Sequence, residues 1–132
     1  MTGNPHFISL EDALFFHAEE IKKAGGSHEI RDMKALEAAL AAPQATYRGT
    51  FLMDLFEIAA TYIESICTRH PFLDGNKRTA VACALVFLYL NGYEVYEGYE
   101  EELADMVLSV VTHKVTKTTL AEYFRDKSRI IE

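Results

Sequence analysis

An all-α fold, a single helical bundle around one buried central helix, is what this sequence predicts. Apolar residues recur at three- and four-residue spacing over most of the chain, and turn residues fall about one helix length apart. One stretch, Ala80 to Leu90, is apolar on every side, the pattern of a helix at the centre of a domain. With 132 residues, 49% of them hydrophobic, the chain can bury one substantial core, so residues 1–132 read as a single domain. No repeat, low-complexity tract or Pro/Gly/Ser-rich linker divides it.

Ser9 is placed to cap a first helix, with Glu11 and Asp12 in its first turn, Leu10, Leu14 and Ile21 on one face and Gly25-Gly26 as its stop. A shorter helix starts near Asp32, carries Met33, Leu36, Ala39 and Leu40, and should end near Pro43. Gln44 to Met53 lacks helical spacing and reads as a loop or a short irregular hairpin turning near Gly49. As a flap, its exposed edge could hold an extended segment of a target by backbone pairing; the alternative is an ordinary surface loop. Asp54 caps a third helix in which Leu55, Ile58, Ala59, Tyr62, Ile63 and Ile66 form one face, running to about Arg69. After a turn from Pro71 to Gly75 comes the central helix, Asn76 to Leu90, ended by Gly92. Two amphipathic helices follow, Glu100 to His113 and Lys117 to about Lys127 with Thr116 as cap, leaving a charged tail at Ser128 to Glu132.

The net charge of -7, from 20 acidic against 13 basic side chains, leaves no cationic stripe to track phosphates, so direct nucleic-acid binding is not expected. Met1 to His6 has neither a basic segment nor a long apolar run and does not read as a secretory signal, and no segment is long enough to span a membrane. A cytoplasmic location is the expectation. Cys67 and Cys83 lie in apolar helical stretches without partners at zinc or disulfide spacing and read as reduced packing residues. His6, His17, His28 and His113 lack ligand spacing and read as surface or packing residues, and Glu97 to Glu102 as a solvated loop and helix start.

Chemistry concentrates between His70 and Arg78, at the entrance of the apolar helix. Free N–H groups at a helix N-terminus attract anions, and Gly75 has no side chain to obstruct their approach. Arg78 can fork onto phosphate oxygens, Lys77 adds a mobile charge, and Asp74 suits a magnesium ion bridging those oxygens. Imidazole ordinarily titrates near neutrality, which makes His70 the candidate general base. Phe72, between polar neighbours, would anchor the loop in the core. Taken alone, Asp74 reads better as a helix cap and His70 as a helix-end residue; their occurrence together with Gly75, Asn76, Lys77 and Arg78 favours a site. Arg31-Asp32 reads as structural, Asp32 capping a helix and Arg31 pairing with a surface acid.

The stretch HPFLDGNKRTA resembles the signature of the Fic/Doc superfamily, His-x-Phe-x-Asp/Glu-Gly-Asn-Gly-Arg-x-x-Arg in Fic proteins and ending Asn-Lys-Arg in the Doc (death-on-curing) branch. The resemblance extends over Ile8-Ser9-Leu10-Glu11, Gly25-Gly26, Ile30-Arg31-Asp32, Ala42-Pro43-Gln44-Ala45-Thr46 and Asn91-Gly92-Tyr93. It implies a Fic/Doc helical bundle with His70 as base, Asp74 on magnesium, and Asn76, Lys77 and Arg78 on the phosphates of ATP. Lys77 replaces the glycine of Fic adenylyltransferases, and Val81 stands where they carry a second arginine. Those departures favour the Doc branch, whose resemblance implies an inverted nucleotide, transfer of the terminal phosphate to a protein hydroxyl and elongation factor Tu as the target. AMP transfer and a catalytically silent binding module are the alternatives. The resemblance further implies a toxin restrained by an antitoxin whose disordered tail folds into a helix on binding. An internal inhibitory helix, Ser/Thr-x-x-x-Glu-Gly/Asn, is not expected: Thr118 to Glu122 has the spacing, but Tyr123 follows.

Overall fold

Residues 4–132 are described by the computed structural model, and residues 1–3 of the segment read above for a secretory signal lie outside the described residues. Helix α1, Leu10–Ala24, opens on a reciprocal cap in which Ser9 Oγ accepts the Asp12 N–H at 3.0 Å and Asp12 accepts the Ser9 N–H at 3.2 Å. It ends where Gly25 takes a φ of +83°. Helix α2, Met33–Ala41, starts from Asp32, which accepts the Ala35 N–H at 3.0 Å. The chain then tightens into a 3-10 turn, Ala42–Gln44, instead of stopping before Pro43, because a proline in a first turn has no N–H partner to lose.

Strands β1, Thr46–Tyr47, and β2, Thr50–Phe51, form a hairpin turning at Arg48 and Gly49, with φ values of +51° and +81°. Two consecutive positive φ angles match the right-handed strand twist of a tight hairpin. Helix α3, Leu55–Arg69, is capped by Asp54 and Glu57, and helix α4 spans Asn76–Leu90. Strand β3, Tyr93–Val95, precedes helices α5, Glu100–Val111, and α6, Lys117–Lys127, the latter capped by Thr116. Helix α5 stops two residues before the expected His113, which itself closes the turn at a φ of +61°.

The all-α bundle with a small hairpin is as expected, but the helix at its centre is α3 rather than α4. Helix α3 packs against α2, α4, α5 and α6, and eight of its residues are buried. Its polar side chains do not prevent this: Thr61 donates to the Glu57 carbonyl at 2.8 Å and Ser65 to the Ala39 carbonyl at 2.8 Å, so the buried hydroxyls are satisfied. The apolar stretch of α4, Ala80 to Leu90, keeps Val81, Ala82, Leu85 and Val86 only half-buried, and Tyr89 and Leu90 are exposed. The charged tail is largely exposed but carries structure. Ser128–Ile130 forms strand β4, antiparallel to β3, with Arg129 paired to Glu94 across the ribbon at 2.8 Å. No helix is long and apolar enough among the described residues to cross a membrane.

Candidate active site

The loop between α3 and α4 is held by a strap, the segment between α1 and α2. The Arg31 and Asp32 N–H groups donate to the Pro71 carbonyl at 2.8 and 3.0 Å, and the Leu73 N–H donates to the Glu29 carbonyl at 3.1 Å. Arg31 does not pair with a surface acid as expected. Its guanidinium donates to the His70 and Arg69 carbonyls at 2.6 and 2.9 Å and so caps the end of α3. His70 ends that helix with a φ of +51°, a left-handed geometry that turns its exposed side chain out of the helical path. Phe72 is fully buried and anchors the turn, its ring stacked on His17 with centroids 3.8 Å apart.

Asn76 is nearly buried, and its amide is spent inside the loop. Oδ1 accepts the Phe72 N–H at 3.0 Å, while Nδ2 donates to the Phe72 carbonyl at 2.8 Å and reaches His70 Nδ1 at 3.2 Å. The two Phe72 contacts fix which end of the amide is which, so His70 Nδ1 is the acceptor and the neutral ring carries its proton on Nε2. The side-chain amide of Asn76 is therefore not free for a ligand.

Asp74 does not cap α4. Its carboxylate accepts the Ser27 N–H at 2.8 Å through one oxygen, and the helix begins at Gly75, in a left-handed conformation, with no side-chain cap. The first N–H groups of α4 are thus left to a ligand, with the positive end of the helix dipole behind them. Lys77 is exposed beside them, and half-buried Arg78 is steadied by a 3.1 Å bond from its guanidinium to the Glu20 carbonyl. A cleft of about 520 Å3 opens here, lined by His70, Asp74, Gly75, Asn76, Lys77 and Arg78 with Cys67, Leu73 and Val111. The structure therefore gathers all six expected site residues around one cavity.

Asp74 offers one carboxylate, and no cluster of three or more His, Cys, Asp or Glu that could hold a metal occurs among the described residues. This donor set fits magnesium, which is commonly held by one or two carboxylates while substrate phosphates and water fill its other positions. Cys67 lines the cleft without being poised to react, because burial pushes its thiol up to about 11 against the opposing pull of Lys77. Burial likewise pushes Cys83 up to about 12, in keeping with a packing role.

A second, larger cleft of about 750 Å3 lies between the hairpin and the α5–α6 turn and shares Val111 with the first. Ala45, Leu52 and Met53 form its hairpin side, and Glu64, Thr68, Arg69, His113 and Lys117 add polar groups. Sequence reading did not find the supporting roles of His17, Ser27 and Arg31. Arg31 read as structural and His17 as surface or packing, but the partners of all three lie 39 to 57 residues away and leave no spacing pattern.

The profile of the Fic/DOC family matches residues 7–88. Protein kinase doc of Escherichia phage P1 is 35% identical over 118 residues, which cover 89% of this chain and 92% of that protein. Toxin Doc of Mycolicibacterium smegmatis is 38% identical over 88 residues, 66% of this chain and 68% of that protein.

Proposed function

The chain belongs to the Fic/DOC family, on its Doc side, and from that premise we propose that it is a toxin that transfers the terminal phosphate of Mg-ATP to a hydroxyl of a target protein. The observation that carries this reading is His70 at the rim of a cleft that also contains the uncapped N-terminus of α4, Lys77 and Arg78. Phosphoryl transfer asks little covalent chemistry of a protein; positioning and electrostatic stabilisation do most of the work. The α4 N–H groups and Arg78 would bind phosphate oxygens directionally, with Lys77 as a mobile charge. Asp74 would hold magnesium, which when bound neutralises phosphate charge.

His70 would take the proton of the attacking hydroxyl. Acceptance at Nε2 requires the tautomer protonated on Nδ1, which cannot coexist with the Asn76 contact, so substrate must shift the ring or the amide by one hydrogen bond. Val81, half-buried on α4, adds no second phosphate-binding arginine, which favours terminal-phosphate over AMP transfer. Elongation factor Tu is the target that the Doc resemblance suggests. Control would come from an antitoxin whose tail folds into a helix on this chain: Thr118 and Glu122 are exposed within α6, as part of the last helix and not an inhibitory one.

Incubation with ATP labelled separately at the α and γ phosphates tests the reaction. Gamma label on protein is the expected result; α label would establish AMP transfer instead, and neither would leave a binding module. Asp74→Ala and Arg78→Ala should each weaken Mg-ATP binding about tenfold or more, the usual worth of a contact to a charged group, as measured by calorimetric titration. Unchanged affinity in both variants would move the nucleotide site elsewhere.

The hairpin is proposed as the flap that holds the target beside the larger cleft. Tyr47 stands exposed on β1, and Phe51 packs on Phe7 with ring centroids 5.3 Å apart. Tyr47→Pro and Phe51→Asp should therefore lower modification of the target while leaving Mg-ATP affinity intact. Wild-type modification rates in both would remove the flap from target binding.

A further inference from the structure

Helix α1 turns a buried face toward the loop at positions 13, 17 and 21, where Ala13 and Ile21 are apolar and the middle residue is histidine. His17 is 2% exposed, its ring lies 3.8 Å from Phe72 at an interplanar angle of 6°, and its Nε2 is 2.8 Å from the Asp74 carbonyl oxygen. A carbonyl can only accept, so Nε2 carries the proton and the ring is held as a donor. Phenylalanine would supply the same stack but not this bond.

The contact falls on the residue read above as the metal ligand. Asp74 is gripped from a second side, because the Ser27 N–H is bonded to its carboxylate and a Cβ at Gly26 would come within 3.0 Å of the Asp74 Cβ. A Cβ at Gly75 would meet His17 Cδ2 at 3.6 Å and Ile21 Cδ1 at 3.2 Å, so the turn lies directly on α1. We propose that His17 is a positioning residue: by holding the Asp74 main chain against α1, it sets where the Asp74 carboxylate can meet a divalent cation. This rests on the reading of Asp74 as the magnesium ligand. Supporting contacts of this kind commonly change metal affinity by about ten- to a hundredfold.

The test compares the full-length chain with His17→Phe, which keeps an aromatic ring and loses the donor, and His17→Gln, which keeps a donor and loses the ring. His17→Phe should raise the magnesium concentration for half-maximal transfer about tenfold or more. It should also speed amide hydrogen exchange at Ser27, with ATP affinity in the absence of metal unchanged. His17→Gln should recover most of both effects. Wild-type magnesium dependence and Ser27 exchange in His17→Phe would overturn the proposal, as would a His17→Gln variant as impaired as His17→Phe. Should His17→Phe not fold, imidazole nitrogen NMR of the unaltered protein decides: a slowly exchanging proton on Nε2 supports the contact, and the Nδ1–H tautomer overturns it. Asp74→Ala with unaltered magnesium dependence would refute the metal reading itself, while the Ser27 exchange result would still report whether His17 holds the loop.

Discussion

His70→Ala is expected to lower transfer by about a hundredfold or more, the usual contribution of a positioned general base. The fold should survive. The His70 side chain is exposed, and the features that hold this point of the chain, its carbonyl bonded to Arg31 and its N–H bonded to Ile66, are main-chain features that alanine keeps. Asn76 loses one contact but retains both of its bonds to Phe72. The φ of +51° adds little, because histidine already bears the left-handed strain and alanine is only somewhat less tolerant of it, so the melting temperature should fall only slightly. His70→Asn, more tolerant of that backbone, should melt closer to the wild type and be equally inactive. Turnover and melting temperature measured on the same samples separate the two effects, and wild-type turnover in either variant would take His70 out of the mechanism.

Phe72→Ala should be among the most damaging substitutions for stability, costing about 3–5 kcal/mol, as truncation of a fully buried aromatic commonly does. Against a typical total of about 5–15 kcal/mol this is a large share, so denaturant midpoints should fall sharply. The ring also stacks on His17, and the backbone of Phe72 bridges to Ile30 and bonds Asn76 twice. Loss of the ring should therefore loosen the site before the domain unfolds, weakening Mg-ATP binding under conditions where circular dichroism still reports native helix. A loss of stability below about 1 kcal/mol would show that the loop is anchored by its hydrogen bonds alone.

The helix boundaries of α1, α3, α4 and α6 were legible because each carries a local signal at its start or stop: caps at Ser9, Asp54 and Thr116, and glycine at 25, 75 and 92. The hairpin tip at Gly49 was legible for the same reason. The ribbon of β3 and β4 was not, since strands of three residues are too short to show a two-residue period, and the pairing of Arg129 with Glu94 joins residues 35 apart in sequence. Nor could composition rank two apolar helices. The Ala80 to Leu90 stretch of α4 is the more uniformly apolar, yet α3 takes the centre, packed by α2, α4, α5 and α6, and its Thr61 and Ser65 hydroxyls find carbonyl acceptors there.

That the candidate residues share one cavity was a property of the sequence itself, because the residues from His70 to Arg78 are contiguous and a loop entering a helix brings contiguous residues together. Tertiary structure alone decided how they are oriented. Asn76 turns inward to hold Phe72 and His70, Asp74 leaves α4 uncapped and accepts from Ser27, and His17, Arg31 and Glu20 reach the site from other elements. A polar side chain near a helix end can satisfy its hydrogen bonds in several ways of nearly equal energy. Which one prevails depends on donors and acceptors delivered by segments tens of residues away, and local pattern carries no record of those.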